Sequence, residues 1–142
     1  MFFDQLINQT SIPVLGKVMN FAAARHEQLA HNIANIDTPG YKVRDLSVAD
    51  FQNALAKAID NRDDNGGRLV LKGRQVRTGN DGTTLYRPAD VTAHNLLFHD
   101  LANRQIEKQM AALAENTLTY NMTAELMRTQ FEGLKKAIRG RV

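Results

Sequence analysis

Apolar positions along the chain fall into two long helical patterns separated by a polar, glycine-dotted middle. Towards the C-terminus, Ile106, Met110, Leu113, Thr117, Tyr120, Ala124, Met127, Phe131, Leu134 and Ile138 alternate steps of four and three. That spacing predicts a single long helix with a heptad seam. Gly133 is the first glycine to interrupt it, and Gly140 is placed to end it. Lys135, Lys136 and Arg139 sit in the last turns, where cations complement the helix dipole. A large seam side chain contributes roughly 1.5–3 kcal/mol when fully buried, which a lone helix in water cannot collect, so the seam needs a partner. Thr117, Tyr120 and Ala124 make its middle polar or small, lowering stability and favouring one register.

Near the N-terminus, Leu15, Val18, Ala22, Leu29, Ile33 and Ile36 form the stripe of a second helix over residues 12–36. Ser11 is its expected N-cap, with Pro13 tolerated in the first turn. Arg25 and His26 interrupt the stripe, so it is a weak seam in isolation. Pro39 pushes Thr38 out of the α region, so the helix must stop by Thr38. Pro39-Gly40 then suits a turn with Gly40 at positive φ. Asn32 and Asn35, three apart on a neighbouring stripe, are poor helix formers placed for amide contacts to another chain or segment. The expected fold is mainly α: the terminal helices pack as an antiparallel hairpin or coiled coil around a small middle.

In that middle, Ser47-Val48-Ala49-Asp50 resembles a capping box with Asp in the Glu place. A short helix is expected over 48–61, with Phe51, Leu55 and Ile59 on one face. Asp63 to Gly67 reads as a loop and Leu69-Val70-Leu71 as a short strand. Thr78 to Gly82 reads as a turn, and Thr83 to Tyr86 as a return strand. The pattern divides the chain into a mobile segment, 1–10, a helix and turn, 11–46, a variable middle, 47–99, and the heptad helix, 100–142. Polar and glycine-dotted, the middle is expected to be the least stable part of the isolated chain.

Composition supports partner-seeking helices. The 142 residues are 43% hydrophobic and only 6% aromatic, without Trp, which limits a compact core. A net charge of +3 permits acidic partners without demanding them. With no Cys, disulfides and Cys-ligated zinc are excluded. Met1 to Ile7 has no basic n-region or sustained apolar run, so no Sec-type signal peptide is expected, nor a membrane-spanning helix.

Candidate chemistry changes little. His26 and His31 are five apart, about 140° around a helix, where a zinc-protease helix needs a spacing of four. His94 and His99 share that spacing and read as surface residues. Asn61-x-Asp63-x-Asn65-Gly66 resembles the start of a calcium loop, but Lys72 stands where the bidentate Glu is required. No phosphate-binding loop, nucleophile elbow or dinucleotide fingerprint is present, so neither an enzyme nor a cofactor is expected. A basic helical nucleic-acid-binding module is the alternative class, resting on Arg62, Arg68, Lys72, Arg74, Arg77 and Arg87 and on Arg128, Lys135, Lys136, Arg139 and Arg141. Asp60, Asp63, Asp64 and Asp81 interleave the first group, and no aromatic stacking platform accompanies it.

The segment from Leu29 to Lys42 is more specific than any of these. Ala30, Asn32, Ile33, Ala34, Asn35, Thr38, Pro39, Gly40, Tyr41 and Lys42 match the pattern Ala-Asn-Asn-Ile-Ala-Asn-x-Asn/Asp-Thr-Pro-Gly-Tyr-Lys, and His31 departs from it. This resembles the N-terminal signature of the flagellar basal-body rod proteins. Asn103, Glu107, Met110, Ala114-Glu115-Asn116 and Tyr120 resemble the C-terminal signature of a short proximal rod subunit, with Gln105 and Gln109 departing from the usual acids. Of the two short rod subunits, the other carries Ser-rich text in place of Ala-Glu-Asn. The resemblance covers about residues 20–46 and 100–138.

It implies a structural subunit of the rod, without an active site, that polymerises into the drive shaft transmitting torque for motility. The implied partners are further copies, other rod subunits of the FlgC, FlgF and FlgG kinds, the rod adaptor FliE, the membrane ring and the export gate. The implied location is the basal body in the periplasmic space, reached by type III export without a cleaved signal. Leu29, Asn32, Ile33, Asn35, Thr38, Pro39, Gly40 and Tyr41 are the expected assembly residues of the signature. Ile106, Met110, Leu113, Tyr120, Met127, Phe131, Leu134 and Ile138 are those of the C-terminal seam.

Overall fold

A computed structural model describes residues 10–62, 66–91 and 101–140, with side chains of the last segment described from Ile106 onward. Residues 1–9, the tip of the Asp63–Asn65 loop, and His94 and His99 lie outside the described residues. The element order is α1 (Ile12–Ala34), β1 (Arg44–Asp45), α2 (Val48–Asp60), β2 (Val76–Thr78), β3 (Thr84–Tyr86), β4 (Ala89–Asp90) and α3 (Leu101–Ile138). The fold is mainly helical, and the long helices α1 and α3 pack on one another. They run antiparallel, because Asn32 meets Gln109 near one end and Gly16 lies beside Met127 near the other.

α1 begins at Ile12 with Pro13 in its first turn, but Ser11 supplies no side-chain cap. Ser11 has helical dihedrals in place of the extended ones usual for a capping residue, and Thr10 Oγ1 accepts from Ile12 N at 3.4 Å. The helix stops at Ala34, where Asn35 folds back and its amide Nδ2 donates to His31 O at 2.9 Å. The Thr38–Tyr41 turn closes through Tyr41 N to Thr38 O at 3.1 Å, with Gly40 at φ 77°. A Cβ on Gly40 would meet nothing within 4 Å, so the dihedral alone demands glycine there.

α2 is capped as the sequence predicts on one side only. Ser47 Oγ accepts from Asp50 N at 3.2 Å. Asp50 does not return the bond. Its carboxylate accepts from Gln75 N at 2.9 Å, while Gln75 Oε1 takes Ser47 N at 2.6 Å. Gln75 thus completes the box from a distant loop. The buried line of α2 is Phe51, Ala54 and Ala58, and Ile59 of the expected face is exposed.

The strands also differ from expectation. Leu69-Val70-Leu71 forms no strand, and Lys72 makes only an isolated bridge to Arg77. The return strand β3 pairs with β2, with Val76 opposite Tyr86 and Thr78 opposite Thr84. β1 pairs with β4 across most of the middle, with Arg44 opposite Asp90.

The main hydrophobic cluster lies largely in the middle, which the sequence pattern reads as the least stable part of the isolated chain. It comprises Phe21 of α1 with Leu46, Phe51, Ala54, Ala58, Leu69, Leu71 and Val76 of the middle. Phe21 stacks on Phe51 at 4.1 Å between ring centroids, and Tyr86 meets Phe21 edge-on at 6.0 Å. No described side chain of α3 belongs to this cluster. The middle and one face of α1 form a packed body, and α3 lies against another face of α1.

Candidate assembly surface

Asn32 is the centre of the signature segment and is fully buried. Its Nδ2 donates to Arg44 O at 2.6 Å and to Gln109 Oε1 at 3.0 Å. Its Oδ1 accepts from Tyr41 OH at 3.0 Å, Gln28 Nε2 at 3.1 Å and Arg44 N at 3.2 Å. One carboxamide therefore joins α1, the Pro-Gly turn, β1 and α3. A buried amide so fully satisfied specifies one arrangement, since an apolar replacement would orphan several groups at once. Asn32 contacts another segment of its own chain. Leu29 is buried beside it, Ile33 is half-buried, and Thr38, Pro39 and Gly40 are exposed.

Two ion pairs brace the same region. Arg25, an interruption of the apolar stripe, donates from Nε and Nη2 to Asp45 at 3.1 and 3.0 Å, with Arg25 largely buried. This bidentate pair ties α1 to β1. Arg44 meets Asp90 at 3.0 Å across the strand pair, but both are exposed, so it contributes little. At the other end of the body, Lys17 donates to Thr84 Oγ1 at 2.7 Å and Gly82 O at 3.3 Å. Burial, and then the neighbouring Arg68 charge, lower its pKa. The Tyr86 hydroxyl is buried without a hydrogen-bond partner, and burial pushes its pKa up to about 12.

The α3 seam has a different register from the apolar pattern. Ile106, Leu113, Met127 and Leu134 are half-buried, and Tyr120 lies at the edge, 36% exposed. The second inward line is Gln109, Asn116 and Thr123, each one residue before Met110, Thr117 and Ala124. Asn116 Nδ2 donates to Ala22 O at 2.7 Å, and Thr123 is 5% exposed. Met110, Phe131 and Ile138, expected in the seam, are 58%, 48% and 62% exposed. The reason is chemical: α1 presents the Ala22 carbonyl and the Asn32 amide to this line, and polar residues satisfy them where methionine cannot. A row of three polar residues, each seven apart, is the signal that apolar counting passes over.

Outside the seam, α3 keeps apolar side chains in water. Leu118 is 70% exposed, Met122 69% and Leu126 48%. A helix with apolar groups on several faces needs more than one partner. Between α1 and α3 an open groove of about 260 Å³ is lined by Ala23, His26, Thr117 and Tyr120. His26 and His31 are exposed and do not converge, and among the described residues no cluster of three or more His, Asp or Glu is placed to hold a metal. Among those residues, too, no helix is long and apolar enough to cross a membrane.

No family model matches the chain. Comparison with individual proteins does place it. It is 30% identical over 131 residues to the flagellar basal body rod protein FlgB of Salmonella typhimurium, covering 87% of this chain and 89% of that protein. The FlgB of Cereibacter sphaeroides is 34% identical over 119 residues, with 82% and 84% covered. The FlgB of Bacillus subtilis is 28% identical over 131 residues, with 92% and 94% covered. The match spans the middle as well as both long helices, and the chain belongs to the FlgB family of flagellar basal body rod proteins.

Proposed function

We propose that this chain is a proximal rod subunit that polymerises into the drive shaft of the flagellum and transmits torque for motility. The observation that carries the reading is its relationship to FlgB proteins over nearly its whole length. The exposed apolar faces of α3 support it, because a rod subunit must bury such faces against its neighbours. Its role is mechanical rather than catalytic. Its neighbours are further copies, FlgC-, FlgF- and FlgG-like subunits, the adaptor FliE, the membrane ring and the export gate. It works in the rod, in the periplasmic space, after type III export without cleavage of a signal. The signature residues around Asn32 set the shape of the subunit, while Met110, Phe131 and Ile138 serve contacts between subunits.

Phe131 separates these roles. It is half-exposed in the single chain, so Phe131→Asp leaves the folded subunit close to wild type. In the rod the same charge would be buried without a partner, which is strongly disfavoured. The expected result is normal secretion, loss of the chain from isolated basal bodies and loss of swimming in soft agar. Normal swimming would overturn the burial of this face. Absence of the wild-type chain from basal bodies would overturn the reading itself.

A further inference from the structure

The back of α3 is an acidic, apolar ridge. Leu118, Met122 and Leu126 are spaced by four and share one face, about 140° around the helix from the line that meets α1. Between Lys108 and Arg128 this helix carries Glu115 and Glu125 and no Lys or Arg. Both glutamates are exposed, and Glu115 lies one turn before Leu118. A row of residues spaced by four is the ridge that packs into a groove on another helical surface.

A groove of that kind exists on the same molecule, on a different face. Ala23 and His26 of α1 and Thr117 and Tyr120 of α3 line it, and it opens directly from the α1–α3 seam. Its walls are mostly apolar, and His26 is the lining residue able to carry a positive charge. The groove therefore suits a ridge that brings leucine and methionine side chains with a carboxylate beside them.

We infer that the Leu118–Met122–Leu126 ridge of one copy docks into the Ala23–His26–Thr117–Tyr120 groove of the next, so that copies of this chain join head to tail. Two arguments select a second copy as the occupant. Both surfaces are mostly apolar, with Glu115 beside the ridge and His26, able to donate a hydrogen bond to a carboxylate, in the groove, and the groove lies along the packing of α1 on α3. Because the two surfaces lie on different faces, the contact is heterologous: it leaves a free ridge at one end and a free groove at the other. A two-fold dimer would close and stop. A heterologous contact repeats, as a shaft requires. This inference rests on the rod reading and adds to it which surfaces meet and in what sense.

The chain has no cysteine, so engineered thiols report this contact without background. Ala23→Cys and Met122→Cys, made in separate copies produced together in the native host, should give a diamide-induced disulfide dimer containing one of each in isolated basal bodies. Neither variant alone should give it. Thr117→Cys with Leu118→Cys is a second pair, in case the first disturbs incorporation. Basal bodies that contain the variants yet form no mixed dimer overturn the contact alone. So does a dimer from Met122→Cys by itself, which marks a two-fold arrangement, or a disulfide from Met122→Cys to an engineered cysteine in a different rod subunit in place of this chain. If wild-type chain is missing from basal bodies, the rod reading fails and the contact falls with it.

Discussion

The body formed by α1 and the middle region and the helix α3 stand at opposite ends of one scale. In the body, aromatic rings stack, and Leu46 and Leu71 are sealed from solvent. α3 is longer than any other described element, yet among its described side chains the buried ones are Asn116 and Thr123, and Phe131, Met110, Leu118 and Met122 are exposed. Hydrophobic burial stabilises the first region. The second meets α1 through the half-buried Ile106, Leu113, Met127 and Leu134 and through the hydrogen bonds of Gln109 and Asn116. On the proposed reading, a surface to be covered by neighbours is not also spent on the subunit's own core, so a packed body stands beside a helix left for other subunits to complete.

The comparison can be broken by substitutions whose effects should differ in size and in reach. The largest is expected from Phe51→Ala, which removes the ring stacked on Phe21. A buried Phe→Ala change costs about 3–5 kcal/mol, and urea denaturation should show the whole body losing stability. Asn32→Leu comes next. It orphans groups of Arg44, Tyr41 and Gln109, at a cost of about 2–3 kcal/mol, and it should loosen both the β1 contact and α3. Equal protection of α3 in this variant and in wild type would show that the carboxamide does not join the two regions.

Asn116→Ala should act on α3 only. Its one bond to Ala22 O is worth about 1 kcal/mol. Amide exchange should quicken along α3 while α2 and the β2–β3 pair stay protected. Tyr86→Phe has the smallest effect and the opposite sign. It removes a buried hydroxyl without a partner and should stabilise the body by up to about 1 kcal/mol. In wild type the unfolded state ionises this phenol first, near its ordinary pKa of 10.0, while burial holds the folded one neutral to about 12. Stability should therefore fall as pH rises through that window. The Phe variant should lose this part of the alkaline decline, which thermal unfolding at pH 9 and pH 11 would measure.

The sequence showed some of this plainly and concealed the rest for identifiable reasons. α3 and the end of α1 were legible, because unbroken helical spacing and Thr38-Pro39-Gly40 act locally. Gly40 at positive φ follows from two adjacent residues. The inward line of α3 was concealed because a heptad offers two neighbouring rows beside Leu113. Apolar content selects Met110 and Phe131, whereas the carbonyl and amide presented by α1 select Gln109 and Asn116. Gln75 as the second half of the α2 cap lies 28 residues from Ser47, beyond any local pattern. The strands are two or three residues long, too short to show alternation. The packing of the middle on α1 was concealed because it centres on Phe21, a residue with no place in the apolar stripe read from spacing.

Amide hydrogen exchange, on the purified chain and on the chain within isolated basal bodies, tests most directly whether α3 is completed by neighbours. In the free chain, α2 and the β2–β3 pair should already be protected, and α3 from Met110 to Phe131 should exchange much faster. In the basal body α3 should become at least as protected as the body, with little change in α2. An α3 as protected in the free chain as in the rod would contradict the account.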